Sequence, residues 1–176
     1  MNEQANAEQA ERYMNTFSQL KNKFDPEEVA NWPRHMRLEQ LRNHFSTGHS
    51  DIIRTTSHTK TGSGFPAAKV INALDPDLVL DLGCGFSLFK EHIKGLIGID
   101  LLPYEGRVDL VMDVDDALEL FQDNTVDAIR CVGPFNFGTQ EEQEHLIGLC
   151  YRKLKPGGLV CGHARPGRKS DATGFN

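Results

Sequence analysis

The segment Val79-Leu80-Asp81-Leu82-Gly83-Cys84-Gly85-Phe86-Ser87 constrains this chain more than any other stretch. It predicts a short buried strand over Leu78 to Leu82, a glycine-rich turn, and a helix from Leu88 to about Lys94. Glycines at 83 and 85 strip the turn of side chains, so a ligand can lie against bare backbone. Two glycines after a strand also serve an ordinary strand-to-helix turn, so the motif takes its weight from a second apolar run downstream. Asp100 closes that run, Leu96-Ile97-Gly98-Ile99-Asp100, about twenty residues on, where nucleotide-binding folds set an acid against a ribose diol.

From Asp75 onward short apolar runs alternate with helical stretches. Strands are expected at Leu78–Leu82, Leu96–Ile99, Val108–Met112, Val126–Val132 and Leu159–Gly162, and helices at Pro66–Leu74, Asp116–Phe121 and Glu141–Leu154. This order predicts an α/β fold, a doubly wound and mainly parallel sheet covered on both faces. Right-handed crossovers then put the ligand at the carboxyl ends of the strands, where strand order reverses.

Residues 1–45 read as an N-terminal helical extension. Tyr13, Met14, Phe17 and Leu20 share a helical face, Asp25-Pro26 looks like a capped helix start, and Met36, Leu38, Leu41 and Phe45 continue after Trp32-Pro33. Residues 46–64 change character: small hydroxyl residues, glycines, His49 and His58 read as a lid-like loop ahead of the core. No carboxylate or cysteine spacing matches these histidines, so no metal site is expected. Ordinary surface histidines are the favoured reading, with His58 kept as a candidate for orienting a substrate.

A chain of 176 residues with 39% hydrophobic content builds one domain around one core. Its net charge of −6 argues against a protein that coats nucleic acid. The charge is uneven, however: residues 70–151 hold sixteen acids and four bases, while 32–69 and 152–169 each hold six bases. Two basic stretches on one rim would leave an anionic acceptor such as nucleic acid open, against the plainer reading of a solvated surface. Cys84, Cys131, Cys150 and Cys161 are widely spaced and predict reduced thiols. The polar start of the chain and the lack of any run of ~20 apolar residues predict a soluble, cytoplasmic protein without a membrane span.

Residues 65–163 read as the core domain, and within it the span from about Asp77 to Val160 resembles the class I S-adenosylmethionine-dependent methyltransferases. Val79–Gly85 is similar to their glycine-rich first motif and Ile97-Gly98-Ile99-Asp100 to the second. Met112-Asp113-Val114-Asp115-Asp116-Ala117 resembles the third, Asp123–Ile129 the run into the fourth strand, and Leu154-Lys155-Pro156-Gly157-Gly158 the turn before the fifth. The resemblance implies a Rossmann-like methyltransferase fold with S-adenosylmethionine as cofactor. It implies that Gly83 and Gly85, with Leu82 and Cys84 between and beside them, admit the methionyl portion, and that Asp81 holds the turn or meets the cofactor amino group. Asp100 would accept the ribose hydroxyls, Leu101 would lie against the adenine, Asp113 and the Val114 amide would bond its edge, and Cys131 and Val132 would floor the sulfonium.

Departures from that pattern shape the remaining expectations. Phe86 and Ser87 stand where a third glycine is common, and Ser87 is small enough to keep the turn. The family continues past the fifth strand with a helix and two strands, whereas 164–176 is a polar, basic tail. A truncated chain, an edge covered by N-terminal helices, and a homodimer paired through the open edge are the three explanations. Gly133-Pro134-Phe135-Asn136-Phe137 follows the fourth strand without the leading acid or amide of the DNA amino-methylating enzymes. Phe135 and Phe137 are therefore read as pocket walls and Asn136 as the substrate-orienting side chain, with a small-molecule acceptor favoured. The alternative is an inactive cofactor-binding module of the same fold.

Overall fold

The protein is described by a computed structural model that covers residues 34–46, 64–131 and 140–162. In chain order these form α1 (Arg34–Ser46), α2 (Gly64–Asn72), β1 (Val79–Leu82), β2 (Leu96–Asp100), a 3-10 turn (Tyr104–Gly106), β3 (Leu110–Val111), α3 (Val114–Leu118), β4 (Val126–Cys131), α4 (Gln140–Lys153) and β5 (Leu154–Gly162). The strands make one parallel sheet in the order β3-β2-β1-β4-β5. Strand order reverses between β1 and β4, the point at which open α/β sheets take ligands outside the carboxyl ends of their strands.

The strands read as unbroken apolar runs because both faces are covered. Leu80, Leu82, Ile99 and Ile129 pack with Ala117 and Leu118 of α3 and with Leu146, Leu149 and Cys150 of α4. Val79, Leu96 and Ala128 face the other way, against Ala68 and Ile71 of α2 and against Phe89 and Ile93. Each fully buried aliphatic side chain of this kind contributes about 1.5–3 kcal/mol relative to exposure. The two clusters are the doubly wound arrangement expected from the alternation of elements.

One carboxylate gathers the amino ends of the sheet. Asp127 Oδ2 accepts the Asp77 and Leu78 N–H groups, each at 2.9 Å, and Oδ1 accepts Lys155 Nζ at 2.6 Å. Burial works to raise the Asp127 pKa, but the bonds from Lys155 and the two amides hold it below the ordinary value. Asp127 thus belongs to the start of the strands, away from their carboxyl ends.

The expected helix from Leu88 to Lys94 does not form. Residues 85–92 make successive turns, with Ser87 N–H to Cys84 O at 3.0 Å, Lys90 N–H to Ser87 O at 3.1 Å and Ile93 N–H to Phe89 O at 2.9 Å. Gly85 at φ 54° and Ser87 at φ 48° are left-handed, and a right-handed helix cannot be launched through them. Phe89 and Ile93 are both buried, and that alone gives the four-residue spacing of a helix face.

Other boundaries shift as well. The fifth strand begins at Leu154, because Val126 pairs with Leu154 and Ala128 with Leu159, leaving Lys155–Gly158 bulged out within the strand. A Cβ on Gly158 would lie 2.9 Å from Lys155 O and 3.1 Å from Asp127 O, which explains a glycine there. The third strand contracts from Val108–Met112 to Leu110–Val111, and the helix expected at 116–121 starts earlier, at Val114. Among the described residues β5 pairs only with β4. Residues 1–33, 47–63, 132–139 and 163–176 lie outside the described residues, and with them the expected helices of the first 33 residues, most of the lid-like loop and the basic tail; Ser46 and Gly64 are helix ends. All four cysteines are free thiols, three of them buried, and no described helix is long and apolar enough to cross a membrane.

Candidate functional site

The glycine turn is laid down over the end of β2. Gly83 (φ 70°) and Gly85 (φ 54°) take left-handed conformations that suit glycine. Gly83 and Cys84 both donate N–H to Ile99 O, at 2.9 and 3.1 Å, and Gly85 donates to Asp100 Oδ2 at 2.9 Å. Beneath the turn, a Cβ on Gly98 would stand 2.9 Å from both Cys84 Sγ and Ser87 Oγ. Gly98 is therefore the seat on which the turn rests. Asp109 steadies that seat: its Oδ2 accepts Gly98 N–H at 2.8 Å, its own N–H donates to Gly98 O at 2.9 Å, and Lys90 pairs with it.

Asp100, at the carboxyl end of β2, is half-buried, and its Oδ1 accepts Leu102 N–H at 3.4 Å. Burial pushes its carboxyl up to about 6, against the backbone bonds from Gly85, Leu102 and Leu101 that favour the carboxylate. Two oxygens with lone pairs to spare can accept a pair of hydroxyls from outside. Leu101 is half-buried beside it. Tyr104 is buried, with its ring 5.0 Å from that of Phe86. Left-handed backbone at Tyr104 (φ 37°) and Glu105 (φ 60°) forms the turn that carries this ring, so the segment after β2 braces the glycine turn.

Asp81 is fully buried, and Arg130 Nη1 donates to its Oδ1 at 2.6 Å. The two occupy register-paired positions on neighbouring strands, each one residue short of its strand's carboxyl end. The Arg130 guanidinium lies 4.2 Å from the centre of the Phe89 ring. Burial raises the Asp81 pKa, and the guanidinium opposes that rise. Asp81 Oδ2, Arg130 Nε and Ser87 Oγ are buried without a hydrogen-bond partner. Folded proteins leave few such atoms, and three of them lie beside this one turn.

The remaining expected residues fall into two sets. Asp113 is buried at the start of α3, with its carbonyl accepting Ala117 N–H at 2.9 Å, and Val114 follows it, also buried. Cys131 ends β4, buried and in register with Leu82. Asp81, Leu82, Gly83, Cys84, Gly85, Asp100, Leu101, Asp113, Val114 and Cys131 therefore all lie at the carboxyl ends of β1 to β4 or just beyond them. Val132, Phe135, Asn136, Phe137 and the histidines His49 and His58 lie outside the described residues. Arg130, Tyr104 and the seating role of Gly98 are not among the features expected from sequence; a charge among the apolar residues that follow Asp127 in the run Val126–Val132 was the signal for the first.

The basic stretch that begins at Arg152 is neutralised where it is described. Arg152 pairs with Glu119 at 2.8 Å, Lys153 with Asp123 at 2.8 Å and Glu119 at 3.3 Å, and Lys155 with Asp127 at 2.6 Å. Charges adjacent in sequence are here spent on acids of neighbouring elements.

Residues 80–162 match a family model described as a methyltransferase domain. Among solved structures, one similar chain is a SAM-dependent methyltransferase from Archaeoglobus fulgidus, 25% identical, covering 56% of this chain and 52% of that one, with a TM-score of 0.44. Another is a Burkholderia thailandensis 1,6-didemethyltoxoflavin-N1-methyltransferase with bound 1,6-didemethyltoxoflavin and S-adenosylhomocysteine. It is 19% identical, with coverage of 73% and 64% and a TM-score of 0.55. The chain thus spans 52% and 64% of the lengths of these two proteins. No curated protein matches the sequence.

Proposed function

We propose that this protein, whose residues 80–162 match a methyltransferase-domain model, transfers the methyl group of S-adenosylmethionine to a small-molecule acceptor. The observation that carries the reading is the Gly85–Asp100 bond, which brings a side-chain-free turn and a strand-end carboxylate together across β1 and β2. The site residues fit such a cofactor: bare backbone for a flexible chain, a carboxylate with spare lone pairs for a diol, and a buried unpaired acceptor, Asp81 Oδ2, for an ammonium. The same fold in the Burkholderia methyltransferase holds S-adenosylhomocysteine together with 1,6-didemethyltoxoflavin.

In this reading Asp100 holds the ribose, Leu101 packs on the adenine, and Asp113 with the Val114 amide meets its edge. Cys131 and Val132 floor the reacting centre, with Phe135, Phe137 and Asn136 toward the acceptor. When bound, the cofactor supplies an electrophilic methyl carried on a sulfonium. The residues of this chain contribute alignment, the main requirement of an in-line displacement, so no obligatory general base is assigned. The ion pairs of Arg152, Lys153 and Lys155 support a small acceptor over a polyanion.

Calorimetric titration with S-adenosylmethionine and S-adenosylhomocysteine, on the wild type and on Asp100→Ala, tests the reading. Micromolar binding that is lost in Asp100→Ala supports it. Wild-type protein that binds neither compound overturns it, and binding without turnover on any acceptor would turn it toward an inactive cofactor-binding module.

A further inference from the structure

Arg130 interrupts a strand whose other described residues beyond Asp127 are apolar and buried. As a stabilising device the Asp81–Arg130 pair is inefficient, since desolvating two charges costs several kcal/mol per ion, to be offset by their attraction and by further hydrogen bonds. Here that offset is incomplete. Asp81 engages Nη1 alone, leaving Arg130 Nε unbonded on the guanidinium edge and leaving its own Oδ2 unbonded as well. The unused atoms are one donor and one acceptor, carried by side chains already in contact at the carboxyl edge of the sheet. A group that satisfies both offers an acceptor beside a donor, and the charges of the two side chains favour an anion beside a cation, as in an α-amino acid.

The surroundings offer little else for a carboxylate. The N–H groups of Gly83, Cys84 and Gly85 are committed to Ile99 O and Asp100 Oδ2. The turns after Ser87 provide no regular helix terminus of the kind that receives anions. Lys90 is paired with Asp109 and Lys94 with Asp75, while Lys153, the other buried cation among the described residues, is paired with Asp123 and Glu119.

We propose that Arg130 is a cofactor-binding residue: its free guanidinium edge receives the α-carboxylate of the methionyl group while Asp81 Oδ2 receives the α-ammonium. The proposal rests on the cofactor reading above, and it assigns to Arg130 a recognition role that the sequence motifs do not carry. A bidentate-capable guanidinium is suited to a carboxylate, and the neighbouring Asp81 excludes a bare anion, so the pair selects for the zwitterion.

The test compares ligands that differ only at that end. Wild-type protein is titrated with S-adenosylhomocysteine, with its decarboxylated and deaminated analogues, and with 5′-methylthioadenosine, which lacks the amino-acid portion. Loss of either group is expected to weaken binding about 10- to 100-fold, the range for hydrogen bonds to charged groups. Arg130→Met should weaken S-adenosylhomocysteine by a similar factor and leave 5′-methylthioadenosine within about twofold, with Arg130→Lys in between. Equal weakening of both ligands in a folded variant, or wild-type binding indifferent to the carboxylate, overturns the proposal. The ligand series needs no variant, so it decides the matter even if Arg130→Met fails to fold. Wild-type protein that binds S-adenosylhomocysteine but ignores its carboxylate sinks only the role of Arg130, whereas failure to bind either S-adenosylhomocysteine or S-adenosylmethionine sinks the cofactor reading itself.

Discussion

Asp100 Oδ2 accepts the Gly85 amide hydrogen at 2.9 Å, so the carboxylate proposed to hold the ribose also fastens the turn proposed to admit the methionyl chain. Cofactor affinity should therefore follow the ionisation of Asp100. Burial has raised its pKa to about 6, so the carboxylate form prevails above that pH and is titrated away below it. Calorimetry is expected to find binding about tenfold weaker at pH 5 than at pH 7.5. Asp100→Asn, which keeps one acceptor oxygen, should weaken binding about 10- to 100-fold at neutral pH and flatten this dependence.

Gly98→Ala tests the seating of the turn. Its new methyl would meet Cys84 Sγ and Ser87 Oγ at 2.9 Å, and the crowding is expected to cost about 1–3 kcal/mol. Thermal unfolding reads the loss, and titration with S-adenosylhomocysteine reads the displaced turn. Adding Cys84→Ala should restore part of the melting temperature by removing one of the two obstructing atoms. No change in Gly98→Ala would mean that the turn does not rest on β2.

At the other end of the sheet, Asp127→Ala should lower stability by about 2–4 kcal/mol, because it removes the acceptor of two strand-start amides and the partner of Lys155. Cofactor affinity of the protein that remains folded should be unaltered. The Asp127 pKa is held below its ordinary value of 3.8, so its contribution is present at neutral pH and is lost only as the pH falls through that range. Denaturant melts at pH 7 and pH 3 on wild type and variant check both points.

Thiol chemistry gives an independent reading of the core. Burial pushes the Cys150 thiol up to about 12, with Asp115 adding to it, and burial raises Cys84 further, helped by Asp81, Asp100 and Asp109. Both should resist a disulfide reagent at pH 8 in the folded protein, at rates at least about 100-fold below a free thiol. Half-exposed Cys161 should react first, and denaturant should release all four. Rapid labelling of Cys84 under native conditions would contradict its place under the turn.

Much of the frame was legible because strands buried on both faces leave uninterrupted apolar runs, as at Val79–Leu82 and Leu96–Ile99. The acids proposed for the site were legible because Asp100 ends such a run, Asp113 follows one, and Asp81 stands one residue short of the end of another. What escaped depends on partners distant in sequence. Arg130 is intelligible only beside Asp81, forty-nine residues earlier, and Gly98 only under the Cys84 and Ser87 side chains that lie on it. A helix was expected from Leu88 to about Lys94, but the left-handed backbone at Ser87 decides the local path. The basic run from Arg152 looked like a patch until Glu119, Asp123 and Asp127 came to meet it.

The bonds made by Asp127 divide the domain into two halves with separate obligations. Its carboxylate joins β1, β4 and β5 at the margin remote from the glycine turn, so the frame is fastened where no chemistry is proposed. Substitutions on that floor are expected to change how stably the chain folds and to leave what it recognises untouched. A library randomised over residues 132–139, with Asp77, Asp127 and Lys155 held constant, would explore new methyl acceptors on an unchanging chassis.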